Sequence, residues 1–400
     1  MPRILLLCAT LLALVPTGFC AALFPRSDGQ VTFTTRDTNG AATQLWRVQT
    51  VSGALPEHLN ARLDALALFP GVHYGPITVS ADGAWYVFSS ERFDADNVGY
   101  SGTTIARADF SVVEAIRYTN QPGGTLTTLH HDGIPVIASG GNLVVFVARG
   151  PQHLSDLYSI QRQGGVWSAP VLLTGVSTNT YNYWPCLSAD GTKVAFNAGP
   201  TSFPASSLCE VRVDGTGFRV VITKDGGPPG MEIGPAVQSP AYAPDGSLVF
   251  EAEWGGGERV WRLPIGGGPP VLVQPNYNND NSPIMLPDGR VVSLLVGLYH
   301  QVKVMDLDGG SGLVLTPESS PILQPVPVED IGIGCGAMWG PNLHVEFDGS
   351  LMEVIWPTRF ASFTLQASTG LPTGWSNLVS GTNYAAFANT NAFRFFRLAK

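Results

Sequence analysis

The sequence predicts an all-β fold, a six-bladed β-propeller followed by a small β-sandwich module. Charged residues make up only 13% of the 400 residues, whereas glycine (46) and proline (31) are abundant. That composition is typical of many short strands joined by tight turns. One unit of four short apolar runs also recurs along the chain, and the segment after its last copy keeps a strand-like alternation.

The clearest copy of the repeat extends from Pro240 to Val273. It begins with a short run of residues after Pro240, a turn at Asp245-Gly246 and a run of apolar residues. A glycine-rich turn, a run of alternating apolar and polar residues, a second glycine turn and a final run of branched apolar residues follow. Aspartate accepts a hydrogen bond in such turns, and glycine supplies the positive φ that they need. Four strands joined this way within about 35 to 45 residues match one propeller blade.

Five further copies have the same internal order, which predicts six blades within residues 23–317. Residues 318–343 are then a closing segment and linker, or a degenerate seventh blade. A proline opens most inner strands, where a missing N–H is tolerated because that edge faces the central channel. The apolar residue of each second strand is expected to fill space between blades. The turn anchors are Asp28, Asp82, Gly140, Asp190, Asp245 and Asp288, and the aromatic fillers are Phe33, Phe88, Phe146, Phe196 and Phe250.

Residues 1–20 have the pattern of a secretory signal peptide. Arg3 supplies the positive charge, Ile4 to Val15 form a short apolar run, and small residues follow. About twelve apolar residues are too few to span a bilayer. We therefore expect export with cleavage between Cys20 and Leu23 and no integral membrane span. A lipid anchor on Cys20 and a retained segment are the alternatives.

Charge and cysteine content narrow the possible partners. The net charge of −9, with no basic cluster, excludes nucleic acid and disfavours an anionic membrane surface. Cys186, Cys209 and Cys335 remain after the signal, an odd number for an oxidising compartment. Cys186 and Cys209 fall in the first and third strands of one predicted blade, which are not neighbours. We therefore expect buried free thiols.

The repeats resemble those of TolB-like and WD-like β-propellers. The matching residues are Pro185 with Ser188-Ala189-Asp190-Gly191 and Leu173-Thr174, or Pro283 with Asp288-Gly289 and Leu315-Thr316. The resemblance covers roughly residues 24–317. It implies the propeller fold, within a repeat family that includes binding modules, accessory domains of peptidases and some lyases.

The C-terminal segment, residues 344–400, resembles a small immunoglobulin-like tail found on secreted bacterial proteins. The matching residues are Thr364 to Thr369, Leu371, Trp375 and Phe395-Phe396-Arg397-Leu398. The resemblance implies an exported bacterial protein with a tail used for sorting or display.

The positions before the inner-strand prolines are the candidate ligand site. Aromatic rings beside amides suit a sugar or peptide ligand, which they bind by stacking and fixed hydrogen bonds. Equivalent positions in blades around one axis are expected to meet at one mouth of the channel. The alternative is that these side chains only plug the channel. The set comprises His73, Tyr74, Tyr183, Trp184, Gln238 and Asn281.

No metal or cofactor is expected, although calcium has weak candidates. Asp94, Asp96 and Asn97 offer oxygen ligands at alternate spacing, but they lack the bidentate carboxylate of an EF-hand, which favours a solvated turn. The adjacent His130 and His131 would point to opposite faces of a strand, so they cannot easily share a metal.

The sequence favours an exported, non-catalytic binding or display protein, expected to be a monomer. Its location would be periplasmic, on the cell surface or secreted, and its partner an envelope protein or a glycan. The alternative is a polysaccharide-acting enzyme, a lyase or glycosidase, at the channel mouth. That reaction needs a carboxylate pair, a metal triad or a histidine–carboxylate couple there, whereas the inner-strand positions hold amides and aromatics.

Overall fold

The structure is a computed structural model, and its chain divides into two compact units. The larger unit is Gly29–Ala337, and the strands beyond Met338 belong to the second. In the part of the chain that is described, no helix is long and apolar enough to cross a membrane. The predicted signal peptide lies outside that part. The description covers residues 30–36, 43–49, 56–69, 74–93, 102–120, 125–150, 153–201, 204–231, 234–273, 280–286, 289–295, 301–307, 313–314 and 328–330, with six strands between 344 and 399.

The first and second sheets of the larger unit are antiparallel, and their strands within residues 30–115 follow chain order. A single-turn helix, α1, follows the outer strand of the first sheet. Leu59 and Leu63 anchor this helix because both are fully buried. The elements are β1 (Gln30–Arg36), β2 (Thr43–Gln49), β3 (Glu57–His58), α1 (Asn60–Asp64), β4 (Thr78–Val79), β5 (Trp85–Ser90), β6 (Gly102–Arg107) and β7 (Val113–Ala115).

The third sheet corrects the prediction of six four-stranded blades, because it has seven strands. The strand Asp156–Gln163 is long enough to pair with two short strands beside each other along one edge. Tyr158 and Ser159 pair with one of them, and Arg162 and Gln163 pair with the other. This second short strand also pairs in parallel with a hairpin from earlier in the chain. The strands are β8 (Arg117–Tyr118), β9 (Thr127–Thr128), β10 (Asp132–Ile137), β11 (Leu143–Ala148), β12 (Asp156–Gln163), β13 (Val166–Trp167) and β14 (Val171–Leu172).

The fourth, fifth and sixth sheets return to four antiparallel strands in chain order. With the first two, they make five four-stranded sheets in the described part of the larger unit. Cys186 and Cys209 lie in the first and third strands of the fourth sheet and are free and buried, as expected. The strands are β15 (Tyr181–Leu187), β16 (Lys193–Gly199), β17 (Ser207–Arg212), β18 (Arg219–Thr223), β19 (Val237–Tyr242), β20 (Leu248–Ala252), β21 (Arg259–Leu263), β22 (Val271–Leu272), β23 (Asp280–Met285), β24 (Val291–Leu295), β25 (Gln301–Met305) and β26 (Leu313–Val314).

A strand from the predicted closing segment completes the first sheet. This strand, β27 (Val328–Asp330), pairs antiparallel with β1 and gives the order β27-β1-β2-β3. The first sheet therefore takes its innermost strand from the end of the unit and its other three from the start. Within 318–343, the residues that the structure describes close the first blade and do not build a seventh.

Apolar side chains join each sheet to the one before it. The predicted filler phenylalanines are at most 2% exposed. Phe196 of the fourth sheet clusters with Val145 and Leu157 of the third, and Phe33 of the first sheet clusters with Val292 of the sixth. From the second sheet to the sixth, the inner strands β4, β10, β15, β19 and β23 also contact their neighbours. The sheets thus form a closed ring, which confirms the all-β propeller fold.

The described aspartate-glycine anchors, Asp82, Asp190 and Asp245, are turns, as predicted. Asp190 Oδ1 accepts hydrogen bonds from Ser188 Oγ (2.6 Å) and Thr192 N (3.0 Å). Gly191 has a φ of 69°, the left-handed region that a side chain would disfavour. The carboxylate therefore organises a tight turn between the first two strands of the blade.

The second unit contains two three-stranded antiparallel sheets, with strand orders β28-β29-β32 and β31-β30-β33. Strands occur at the predicted alternating runs, around 351–355, 364–368 and the terminal phenylalanine-rich stretch. The strands are β28 (His344–Phe347), β29 (Leu351–Ile355), β30 (Thr364–Ser368), β31 (Ser376–Ser380), β32 (Tyr384–Ala388) and β33 (Phe395–Ala399).

Candidate functional site

Four members of the predicted channel-mouth set have described side chains. These are Tyr74, Tyr183, Trp184 and Gln238. Asn281 lies in β23, but its side chain is outside the described residues, and so is the whole of His73. The calcium candidates Asp94, Asp96 and Asn97 also fall outside them, so calcium at that loop stays a prediction.

The inner strands of the fourth, fifth and sixth sheets share an unusual backbone feature. Trp184, Ser239 and Ser282 each precede a proline, and their φ values are +50°, +55° and +49°. Residues other than glycine rarely adopt a positive φ, and a following proline normally favours extended backbone in the residue before it. The strand register shifts at each of these sites, as in a β-bulge. Three consecutive sheets thus hold the same strained bulge.

Two of these bulges are fixed by a side chain from the preceding sheet. Ser239 N donates to Asn197 Oδ1 at 2.9 Å, and Ser282 N donates to Glu251 Oε2 at 3.1 Å. Asn197 and Glu251 occupy the same place, directly after the filler phenylalanine of the second strand. A polar residue at this place therefore accepts the N–H that the bulge removes from the strand ladder.

The predicted site residues lie directly opposite these acceptors. Tyr183 pairs with Asn197 across β15 and β16, and Gln238 pairs with Glu251 across β19 and β20. Gln238 Nε2 donates to Glu251 Oε1 at 2.6 Å. Tyr183, Asn197, Gln238 and Glu251, with the bulge residue Ser239, thus form one contiguous polar set, which we call the bulge cluster.

Burial dominates the electrostatics of the bulge cluster. It raises the pKa of Glu251 to about 7, against hydrogen bonds from Gln238 and Ser282 that favour the charged form. It also raises the pKa of Tyr183 to about 12, which the neighbouring Asn197 side chain opposes. Near neutral pH, Glu251 therefore lies close to its midpoint of protonation.

Two polar atoms of the cluster, Gln238 Oε1 and Ser239 Oγ, are buried without a hydrogen-bond partner. A buried polar group without a partner costs free energy, so such groups are uncommon unless a site uses them. The cluster thus combines donor and acceptor capacity that the fold itself leaves unused.

Trp184 adds an aromatic surface next to this cluster. Its side chain is half-buried, and its ring lies 5.6 Å from that of Tyr183 at an interplanar angle of 59°. A tryptophan ordered this way in a strained bulge can stack against a planar or apolar ligand face.

Tyr74 occupies a different environment from the other described members of the set. Its side chain is 3% exposed within the apolar cluster around Leu59, Leu63 and Phe88. Its hydroxyl donates to Asp64 Oδ1 at 2.7 Å, and burial together with this bond raises its pKa. The structure therefore uses this ring to pack helix α1 onto the second sheet.

Asn197 and Glu251 were missed by reading the sequence for aromatic residues before prolines. Their signal is a single polar residue inside an otherwise apolar second strand, in VAFNAG and LVFEA. Polar side chains at such positions need a fixed partner, which here is a backbone N–H some 31 to 42 residues further along the chain.

One histidine–carboxylate couple lies next to the inner strand β15. His153 Nδ1 and Asp156 Oδ1 are 2.7 Å apart, and Asp156 is fully buried. The same oxygen accepts from Thr174 Oγ1 at 2.5 Å, so the threonine of the repeat's Leu-Thr pair ties the last strand to the third. Asp156 Oδ1 therefore has a structural role, while Asp156 Oδ2 is buried without a hydrogen-bond partner. Among the residues that the structure describes, no three metal-ligating side chains lie close enough to share an ion.

His130 and His131 lie in different environments. His130 is exposed. His131 Nδ1 lies 2.7 Å from Thr103 Oγ1, and burial, helped by His130, lowers its pKa to about 4. His131 is therefore neutral at physiological pH and is bound to the neighbouring sheet.

Comparison with known proteins adds only distant structural likeness. No protein-family model matches the chain, and no curated protein sequence matches it. A TolB-type structure from Agrobacterium tumefaciens aligns with 77% of this chain and 93% of its own, at 16% identity and a TM-score of 0.49. TolB from Acinetobacter baumannii aligns with 82% of this chain and 77% of its own, at 15% identity and a TM-score of 0.44. Hydrazine synthase from Kuenenia stuttgartiensis aligns with 74% of this chain and 46% of its own, at 14% identity and a TM-score of 0.49. At these scores the likeness carries no argument about the site.

Proposed function

We propose that this chain is an exported, non-catalytic binding or display protein whose propeller presents a ligand site at the bulge cluster and Trp184. The observation that carries the proposal is the recurrence of a strained bulge before proline in three consecutive sheets. Strained backbone persists where the surrounding structure enforces it, and it concentrates at ligand sites. Here it brings an aromatic pair and unpartnered polar atoms together.

The remaining features of the chain fit this role. The signal-like residues 1–20 support export to the periplasm, the cell surface or the medium. The two sheets after Met338 support an immunoglobulin-like sandwich that serves as a sorting or display tail. We propose that the seven-stranded sheet acts as the third of six blades and that the protein is a monomer. The partner would be an envelope protein or a glycan.

A binding screen with the purified full chain tests the proposal. Glycan-array binding and pull-down from an envelope extract are run in parallel with wild type and Trp184→Ala. Loss of an aromatic anchor should weaken binding of the captured ligand by about 1–3 kcal/mol. Val220→Ala is the matched control, because Val220 is 52% exposed on the outer strand β18, away from the inner strands.

The result that overturns this proposal is a ligand whose affinity is the same for wild type and Trp184→Ala. Partners would then dock elsewhere on the propeller. A mature N-terminus at Met1 or Ile4 in secreted material would separately refute the processed signal peptide.

A polysaccharide-acting enzyme is the second candidate, favoured by the raised pKa of Glu251. Burial also raises the pKa of Glu253, helped by Glu258, so more than one acidic group of this region is shifted upward. A carboxylic acid with a pKa near 7 is suited to general acid catalysis. Incubation with neutral and acidic polysaccharides, followed by assays for new reducing ends and unsaturated products, tests it. Activity that Glu251→Gln abolishes would replace the binding proposal.

A further inference from the structure

A cleft separate from the bulge cluster lies between the fourth and fifth sheets. Its volume is about 940 Å³, within the range of small-molecule and short-peptide sites. The turn at Asp190, the turn at Asp245 and the loop from Pro264 to Pro270 form its walls. The cleft and the bulge cluster share no residue, so the two sites can be tested independently.

The floor of the cleft is an ion cluster built around one buried carboxylate. Glu210 Oε1 lies 3.0 Å from Arg219 Nε and 3.5 Å from Lys193 Nζ, and Glu210 Oε2 accepts from Tyr242 Oη at 2.8 Å. The Glu210 side chain is only 9% exposed. Burial alone would raise the pKa of Glu210, but the bonds from Arg219 and Tyr242 outweigh it and lower that pKa. Glu210 therefore stays ionised and holds both cations in place.

This floor carries a surplus positive charge. One carboxylate is shared by two cations, and the side chains of Arg219 and Lys193 are 59% and 45% exposed. Arg219 contributes its Nε to Glu210, which leaves its two terminal amino groups as a planar pair of donors. That geometry matches the two oxygens of a carboxylate.

The acidic groups at the rim contribute unequally. Asp245 pairs with Arg262, so its charge is offset. Asp190 is bound to its own turn and keeps a full negative charge, since its hydrogen bonds from Ser188 and Thr192 lower its pKa. Asp190 therefore cancels the surplus charge over the cleft as a whole and disfavours multiply charged anions, so a ligand with one negative charge would bind through the local donors of Arg219.

Apolar side chains line much of the rest of the cleft. Ile265 is 63% exposed at the loop tip. Val221, Leu248 and Leu263 add to this surface. An aliphatic group next to the cation pair would cover these side chains and gain hydrophobic free energy.

We propose that this cleft binds a single carboxylate joined to an aliphatic group, with Arg219 as the carboxylate partner and Ile265 and Val221 against the aliphatic part. A peptide C-terminus ending in a branched residue and a free branched-chain carboxylic acid share this chemistry. The proposal does not depend on the function proposed for the bulge cluster.

Calorimetric titration of the full chain with matched probes tests the proposal. The probes are an acetylated tripeptide ending in leucine, the same peptide as its carboxamide, and isocaproate. We expect the free acid to bind at least about tenfold tighter than the carboxamide, and Arg219→Ala to remove that preference. Binding of the peptide alone identifies a C-terminus as the source, and binding of isocaproate alone identifies a free acid.

Three further variants separate the site from general charge effects. Arg212→Ala, which removes an exposed arginine of β17 outside the cleft, should leave the affinity unchanged, as should Trp184→Ala. Asp190→Asn should tighten binding by up to about fivefold, because it removes the rim charge and keeps the turn acceptor. Equal affinity for acid and carboxamide, no binding of any probe, or equal losses in Arg212→Ala and Arg219→Ala would overturn the proposal.

Discussion

Replacing Glu251 by glutamine should change how stability depends on pH. Glu251 is 2% exposed and accepts from Gln238 Nε2 and from the bulge N–H of Ser282. Glutamine keeps an oxygen for Ser282 N. Its amide can donate to Gln238 Oε1, which has no partner at present, once the Gln238 amide turns over. The variant therefore imitates the protonated acid, and the turned Gln238 amide places its nitrogen where Oε1 has no partner now.

The size of the effect follows from the pKa of Glu251, which folding raises from 4.5 to about 7. Because the folded value is the higher one, the native state binds the proton more tightly than the unfolded chain does. The stabilising contribution is fully present below pH 4.5 and is lost as the pH rises through 7. The difference corresponds to at most about 3 kcal/mol.

Urea unfolding between pH 5 and pH 8.5, followed by tryptophan fluorescence, measures this. Wild type should lose stability across that interval, and Glu251→Gln should lose much less, so that the variant is the more stable protein at pH 8.5. Asp132→Asn, which removes an exposed carboxylate of the third sheet, is the matched control and should follow wild type closely. Parallel curves for wild type and Glu251→Gln would refute the reasoning.

Three other substitutions test the interactions that join neighbouring sheets. Asn197→Ala should cost about 1–3 kcal/mol, because Ser239 N then has no acceptor; an unchanged urea midpoint would contradict this. Trp184→Gly should be more stable than Trp184→Ala by about 1 kcal/mol, since glycine accepts a φ of +50°, and the reverse order in thermal melts would argue against strain. Arg47→Ala should cost about 3 kcal/mol, because this buried guanidinium pairs with Glu57 and reaches Tyr86 of the second sheet; a Tm within a degree of wild type would exclude that role.

Local sequence patterns were sufficient for most of the propeller. The phenylalanine of each second strand is apolar, follows a turn at fixed spacing and has one place to go, so Phe196 and Phe250 are buried as predicted. The Asp-Gly anchors are equally local, because the carboxylate bonds to residues two positions away. Such features need no knowledge of distant contacts.

The differences between the predicted and the observed structure arise from contacts between residues far apart in the chain. β12 pairs with both β13 and β14 because it is eight residues long. The local sequence does not predict the parallel contact between Trp167 of β13 and Tyr118 of β8. The αL conformation of Trp184 likewise opposes the local preference before proline, so only the tertiary structure reveals it. Tyr74 shares the sequence position of a site residue but is held in the core by helix α1, an insertion that the other sheets lack in the described part of the chain.

The pairing of β27 with β1 sets the order in which this chain can mature. Thr34 and Asp330 are partners although roughly three hundred residues separate them, so the ring stays open until nearly all of the propeller has been synthesised. Under the export proposed above, this delay would be useful, because a polypeptide that cannot close early stays unfolded enough to cross a translocation channel. Closure of the ring then depends on the late pairing of β27, a strand of three residues, with β1. A nascent chain halted before Val328 would present β1 as an open edge and be prone to pair with another chain.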